Sequence, residues 1–154
     1  MFFITPNYFS EMSKEQLRQE VAERTKCFIS EYVTAHVDMN DPFRSTGHAY
    51  IQLTKEEPHL FKIFILHRRD GISSLDDLYR AETDEQIPDF LAKNLNISVD
   101  QAKQLHLDML IYTIGIGTIF SVTTPGIPPD EIFAQQERVY QIFMKNILED
   151  NHEQ

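Results

Sequence analysis

Residues 41–67, DPFRSTGHAYIQLTKEEPHLFKIFILH, decide the fold, because one proline near their middle separates two helical patterns. Asp41 is a good N-cap, offering a side-chain oxygen to the free amides of a first turn. Pro42 follows at the first helical position, where its missing N–H costs nothing and its fixed φ suits a helix start. Phe43, Gly47, Tyr50, Ile51 and Thr54 then fall at the three- and four-residue spacings of one helix face, while Arg44, Gln52, Lys55 and Glu56 lie mostly on the other. That face is core or pocket. Pro58 disfavours helical geometry at Glu57 and opens a second, shorter helix carrying Leu60, Phe61, Phe64 and Ile65.

The flanking sequence continues in the same idiom. Upstream, Ser13-Lys-Glu-Gln16 is a capping box that predicts a helix to about Val37, with Leu17, Val21, Phe28 and Tyr32 on its apolar or amphipathic face. Downstream, Gly71 and Ser73-Ser74 mark a loop, and Leu75, Leu78 and Tyr79 form a short amphipathic piece. Thr83 or Asp84 is expected to cap a helix through Phe90, Leu91 and Leu95, with Pro88 near its start. Asn96 is a helix stop, and Ser98-Val-Asp-Gln101 is a second capping box, predicting a long helix from near Val99 to Val122. After the break Thr124-Pro-Gly-Ile-Pro-Pro129, Asp130 and Glu131 place negative charge at the positive end of a last helix reaching about Glu149. The expected fold is all-α, with about six helices and neither internal repeat nor low-complexity tract.

One segment argues against this. Residues 111–122, IYTIGIGTIFSV, are rich in β-branched residues and glycine and taken alone read as a buried strand. The helix is preferred because the capping box is followed by a stripe sustained over several turns: Ala102, Leu105, Met109, Tyr112, Ile116 and Phe120. Gly115 and Gly117 cost about 1 kcal/mol each relative to Ala in a helix, and they suit a close approach of a second helix.

The order small residue, Tyr50, aliphatic, then E-x-P-x-L-F-K at Glu56 to Lys62, followed by Phe64, resembles the C-terminal regulatory domain of TetR-family transcriptional regulators. Tyr8, Phe9, Lys14, Glu15 and Leu17 resemble that family's exit from the recognition helix and the start of its connecting helix, with a longer spacing between Phe9 and Lys14. Tyr112 and Gly117 resemble the W-x-x-x-H-G segment of many such domains, with Ile116 in place of the histidine. The resemblance implies an all-helical homodimer whose N-terminal helix-turn-helix binds DNA and whose C-terminal domain binds small molecules. A three-helix headpiece needs roughly forty to fifty residues ahead of Lys14, so residues 1–12 are expected to be a remnant of its exit, and residues 13–150 the ligand-binding and dimerisation domain.

The last helix offers Ile132, Phe133, Val139, Tyr140, Ile142, Phe143, Ile147 and Leu148, more apolar surface than one face needs to cover a monomer core. Either the excess belongs to the monomer core or it is buried between copies. The resemblance implies the second, with the last two helices of each copy pairing as a four-helix bundle; interface candidates are Gly117, Phe120, Gln136, Val139, Tyr140, Phe143 and Ile147.

Composition narrows the function classes. At 154 residues the chain fits one domain, and its formal net charge of −10 would repel a phosphate backbone, so DNA binding is expected only with a headpiece supplied. The single cysteine, Cys27, allows no intrachain disulfide and no thiolate cluster, which suits a reducing cytoplasm. The longest apolar run, Met109 to Val122, falls short of the roughly twenty residues of a membrane span. The histidines at 36, 48, 59, 67, 106 and 152 form no paired i,i+4 set, and no phosphate loop, dinucleotide fingerprint or nucleophile elbow is present, so no metal, cofactor or catalytic residue is assigned. Asp76-Asp77 and Glu149-Asp150 read as solvated surface, and Arg68-Arg69 as cations at a helix end.

What remains is a cavity for an unknown small apolar or amphipathic ligand, lined by aromatic and soft side chains with a few polar handles. Its candidates are Tyr32, Tyr50, Phe64, Phe90, Met109, Tyr112, Thr113 and Ile116, which the resemblance places on helices around such a cavity, with His48 and Tyr50 as hydrogen-bonding groups. The expected function is ligand sensing coupled to homodimerisation; the alternative is an interaction protein that heterodimerises with an intact TetR-type repressor.

Overall fold

A computed structural model describes residues 12–150, and every regular element among them is a helix. There are seven: α1 (Lys14–His36), α2 (Pro42–Glu56), α3 (Pro58–Leu66), α4 (Leu75–Glu82), α5 (Ile87–Leu95), α6 (Val99–Val122) and α7 (Pro129–Glu149). The expected headpiece remnant, residues 1–12, lies outside the described residues except for Met12.

Local chemistry sets most boundaries. Ser13 and Ser98 each accept from the backbone N–H three residues on, while Gln16 and Gln101 reach back to the cap amide, completing both capping boxes. Asn96 ends α5 in the left-handed region at φ 55°, a conformation asparagine tolerates better than most residues. Arg69 closes α3 from beyond its end, donating to the carbonyl of Ile65 at 2.9 Å, so part of the basic pair serves orphan carbonyls. The segment 111–122 is helical, as the capping box and stripe required, against its local strand propensity.

Three expectations change. The piece at Leu75 is a full helix to Glu82, which takes the total from about six to seven. α5 starts at Ile87, later than a cap at Thr83 or Asp84 would place it, because Pro88 is tolerated only in the first turn; Asp84 instead accepts from the Gln86 amide in the preceding turn. On α1 the buried residues are Thr25, Ile29 and Val33, with Phe28 and Tyr32 beside them, whereas Val21 is exposed.

α2 is the pivot of the packing, in contact with α1, α3, α6 and α7. Ala49 and Leu53 join Ile29, Val33, Phe61 and Phe64 in one cluster, while Ile51 turns to Phe120 and Ile132 in another. α6 is central too, packing on α2, α3, α5 and α7. By length and composition alone α6 would suffice to cross a membrane; here its Leu105 and Met109 pack with Tyr140 and Ile147, and its Ala102 with Leu91 and Ala92. The tightest crossing is at Gly117, where a Cβ would stand 2.9 Å from Thr54 Cγ2 and 3.2 Å from Phe61 Cζ. The close helix approach expected of this glycine is thus made by α2 and α3 of the same chain.

Candidate functional site

Where α2, α5, α6 and α7 converge they leave a cavity of about 420 Å3, within the size range of small-molecule sites. α2 contributes Phe43, Gly47 and Tyr50, α5 contributes Phe90 and Leu91, α6 contributes Met109 and Leu110, and α3 contributes Phe64. The wall is therefore mostly apolar, with a few polar groups set into it.

The first pair bridges the last two helices. Gln136 Nε2 on α7 donates to Thr113 Oγ1 on α6 at 3.0 Å, and the two residues are 3% and 8% exposed. A Cβ at residue 47 would lie 2.8 Å from Gln136 Nε2, so the glycine there is what lets the amide lie against α2. Gln136 Oε1 is buried and receives no hydrogen bond from any described residue.

The second pair is His106 and Tyr79, with the Tyr79 hydroxyl 2.9 Å from His106 Nδ1 and Phe43 meeting the imidazole edge-on. Burial pushes the His106 pKa down to about 4, so the ring is neutral at neutral pH. His48 stacks on Phe133 at 4.4 Å between centroids, and burial lowers its pKa also. Tyr50 is held as a neutral phenol, its pKa raised by burial.

Most charges at the wall are in ion pairs, and Asp84 accepts from the Gln86 amide. Glu82 binds Arg69 at 2.5 Å, and Arg44 reaches both Asp41 at 3.4 Å and Glu137 at 3.2 Å while its guanidinium covers the Tyr140 ring. Such a site is a container with neutral hydrogen-bonding groups inside and mostly paired ions at its rim. No group of three or more His, Cys, Asp or Glu side chains suited to a metal occurs among the described residues.

Of the residues expected to bind ligand, Tyr50, Phe64, Phe90, Met109 and Thr113 line this cavity. Tyr32, Tyr112 and Ile116 do not. Tyr32 is on α1, where its hydroxyl donates to Glu56 at 2.6 Å and its ring stacks on His36. Ile116 packs into the cluster of Ile51, Phe120 and Ile132, and Tyr112 is half-buried beside Gln135 of α7.

The expected interface residues are largely occupied inside the monomer. Gln136 and Tyr140 line the cavity, Gly117 meets Thr54 and Phe61, Phe120 packs with Ile51, and Ile147 packs with Leu105. Val139 and Phe143 are partly buried against that last cluster. The exposed large apolar side chains of the last two helices, after Val99, are Ile111, Ile119, Val122, Ile142 and Leu148.

Sequence reasoning did not assign His106, Gln136 or Tyr140 to the cavity. A signal existed for each: His106 precedes Met109 and Thr113 at helical spacing, and Gln136 interrupts the buried stripe Ile132, Gln136, Tyr140. Comparison of the chain with protein-family models, with curated protein sequences and with solved structures finds no match in any of the three.

Proposed function

We propose that this chain is the effector domain of a TetR-type regulator, binding a small apolar or amphipathic molecule and pairing with a second copy. The observation that carries this reading is the cavity between α2, α5, α6 and α7, whose apolar wall and few convergent polar groups are the usual make-up of a small-molecule site. α6 links the two activities: Met109 and Thr113 face the cavity, while Ile111 and Ile119 of the same helix are exposed. A ligand that favours one seating of α6 over another shifts the pairing equilibrium by its differential affinity for the two. The proposed role is binding rather than catalysis, since burial holds His106 and Tyr50 neutral while Arg44, Glu82 and Glu137 are committed to ion pairs.

The test is a thermal-unfolding screen of small apolar and amphipathic compounds, with solution mass measured for every hit. A specific ligand at a hundred times its Kd raises stability by about 2.7 kcal/mol, which is readily seen. Hits that also change the monomer–dimer balance support the reading; a screen without hits on a chain that stays monomeric overturns it. A net charge of −10 also favours a second reading, in which the same face pairs with an intact TetR-type repressor and titrates its DNA binding. Mixed dimers recovered after co-expression would separate the two.

A further inference from the structure

The Gln136 amide specifies more than the existence of a pocket. It is 3% exposed, its nitrogen is committed to Thr113, and its oxygen has no donor among the described residues. A buried carbonyl without a donor forfeits its bond to water and gains nothing in exchange, so the site favours any molecule that brings a donor to it. We propose that the cavity binds an uncharged, predominantly apolar molecule carrying one hydrogen-bond donor, and that Gln136 Oε1 receives that donor. The inference rests on the small-molecule reading of this cavity.

The walls set the rest of the ligand's character. Phe43, Tyr50, Phe64, Met109 and Leu110 offer carbon surface, so the remainder of the molecule is hydrocarbon or aromatic. A carboxylate has no partner here, because Arg44 already serves Asp41 and Glu137, and Arg69 already serves Glu82. Those carboxylates, with Asp84 at the wall, would also repel it. A buried ammonium would meet one amide oxygen, neutral rings and carboxylates already committed to Arg44, Arg69 or the Gln86 amide, too little to replace its hydration. Gln136 and Thr113 stand on different helices, so a donor seated on this amide bears on the α6–α7 contact itself.

The probe is N-phenyl-1-naphthylamine, a neutral aromatic amine with one N–H whose fluorescence rises in apolar surroundings; the chain contains no tryptophan to interfere. Its displacement is measured with decan-1-ol, with the isomer 1-methoxynonane that lacks a donor, with decanoate and with decylammonium. The expected result is stoichiometric probe binding, displacement by decan-1-ol at concentrations about tenfold lower than by 1-methoxynonane, and weak displacement by both ions. Gln136→Met preserves the length of the side chain and removes its carbonyl, and should bring the alcohol-to-ether ratio close to one; its thermal unfolding reports whether it folds. The wild-type ratio is decisive without any variant. Equal displacement by alcohol and ether, or strongest displacement by either ion, overturns the donor assignment while leaving the cavity as a ligand site. Absence of probe binding overturns both.

Discussion

His106 is kept neutral by its surroundings, which makes the stability of the chain depend on pH in a definite direction. Its folded pKa of about 4 lies below the ordinary 6.5, so as acid is added the unfolded chain takes up this proton first. The stabilisation is complete above pH 6.5 and is lost as the pH falls toward 4, to a total on the order of 3 kcal/mol. His48 acts in the same direction, whereas Asp77, held down to about 2 by its hydrogen bonds from Ser73, gives way only in stronger acid. Urea unfolding at pH 7.5 and 4.5 should show a large drop for the wild type and a smaller one for His106→Asn; equal drops would refute the assignment. At this scale the sequence was only partly legible. Phe64 and Met109 line the cavity, where the resemblance rather than their type and spacing puts them, because type and spacing do not say which side of a buried helix has empty space. The resemblance places Gln136 between copies, whereas its amide is turned toward Gly47 and Thr113 of its own chain.

At the scale of the element, α6 sets two glycines two residues apart in opposite environments, and alanine at each separates them. Gly117→Ala would push a methyl group to 2.9 Å from Thr54 and 3.2 Å from Phe61. Overpacking of this kind costs about 1–3 kcal/mol, which outweighs the gain of about 1 kcal/mol in helix propensity, so the melting temperature should fall. Gly115 has nothing within 4 Å of an added Cβ, and in an isolated monomer Gly115→Ala should stabilise by up to about 1 kcal/mol. Thermal unfolding of both variants, run at low concentration, checks the pair; a loss at Gly115 would show that its face is covered. The elements themselves were largely readable in the sequence because their ends are chemical: Ser13, Asp41, Ser98 and Asn96 each cap or stop a helix through a bond or backbone conformation that their residue type favours. The exception is α5, where a proline near the start overrode two good caps.

For the whole molecule, the question is which apolar surface a second copy would cover. A count of apolar residues along α7 showed an excess but could not divide it between the interior and a partner, because both sites demand the same residue types. In the fold, Tyr140 and Ile147 go inward, and Ile111, Ile119 and Val122 of α6 stay exposed, with Ile142 and Leu148 on α7. Ile111, Gly115, Ile119 and Val122 recur at four-, four- and three-residue steps, so they share one face of α6, and Gly115 at its middle would let another helix come close. Phe143 is a poor site for testing association, since it packs against the cluster of Leu105 and Met109, and a charge there would disrupt the monomer. Ile119 is 61% exposed and supports nothing in the core clusters, so Ile119→Asp should leave the melting temperature of the monomer nearly unchanged. If α6 and α7 pair across a two-fold axis, the axis brings two such aspartates toward each other in a desolvated contact, and the cost falls on both copies at once. Light scattering over a concentration series should then give twice the 18.0 kDa chain mass for the wild type and the single-chain mass for Ile119→Asp. A wild-type chain that remains at 18.0 kDa throughout would remove pairing from the proposed mechanism, and the proposed ligand site would then need some other surface to read out its occupancy.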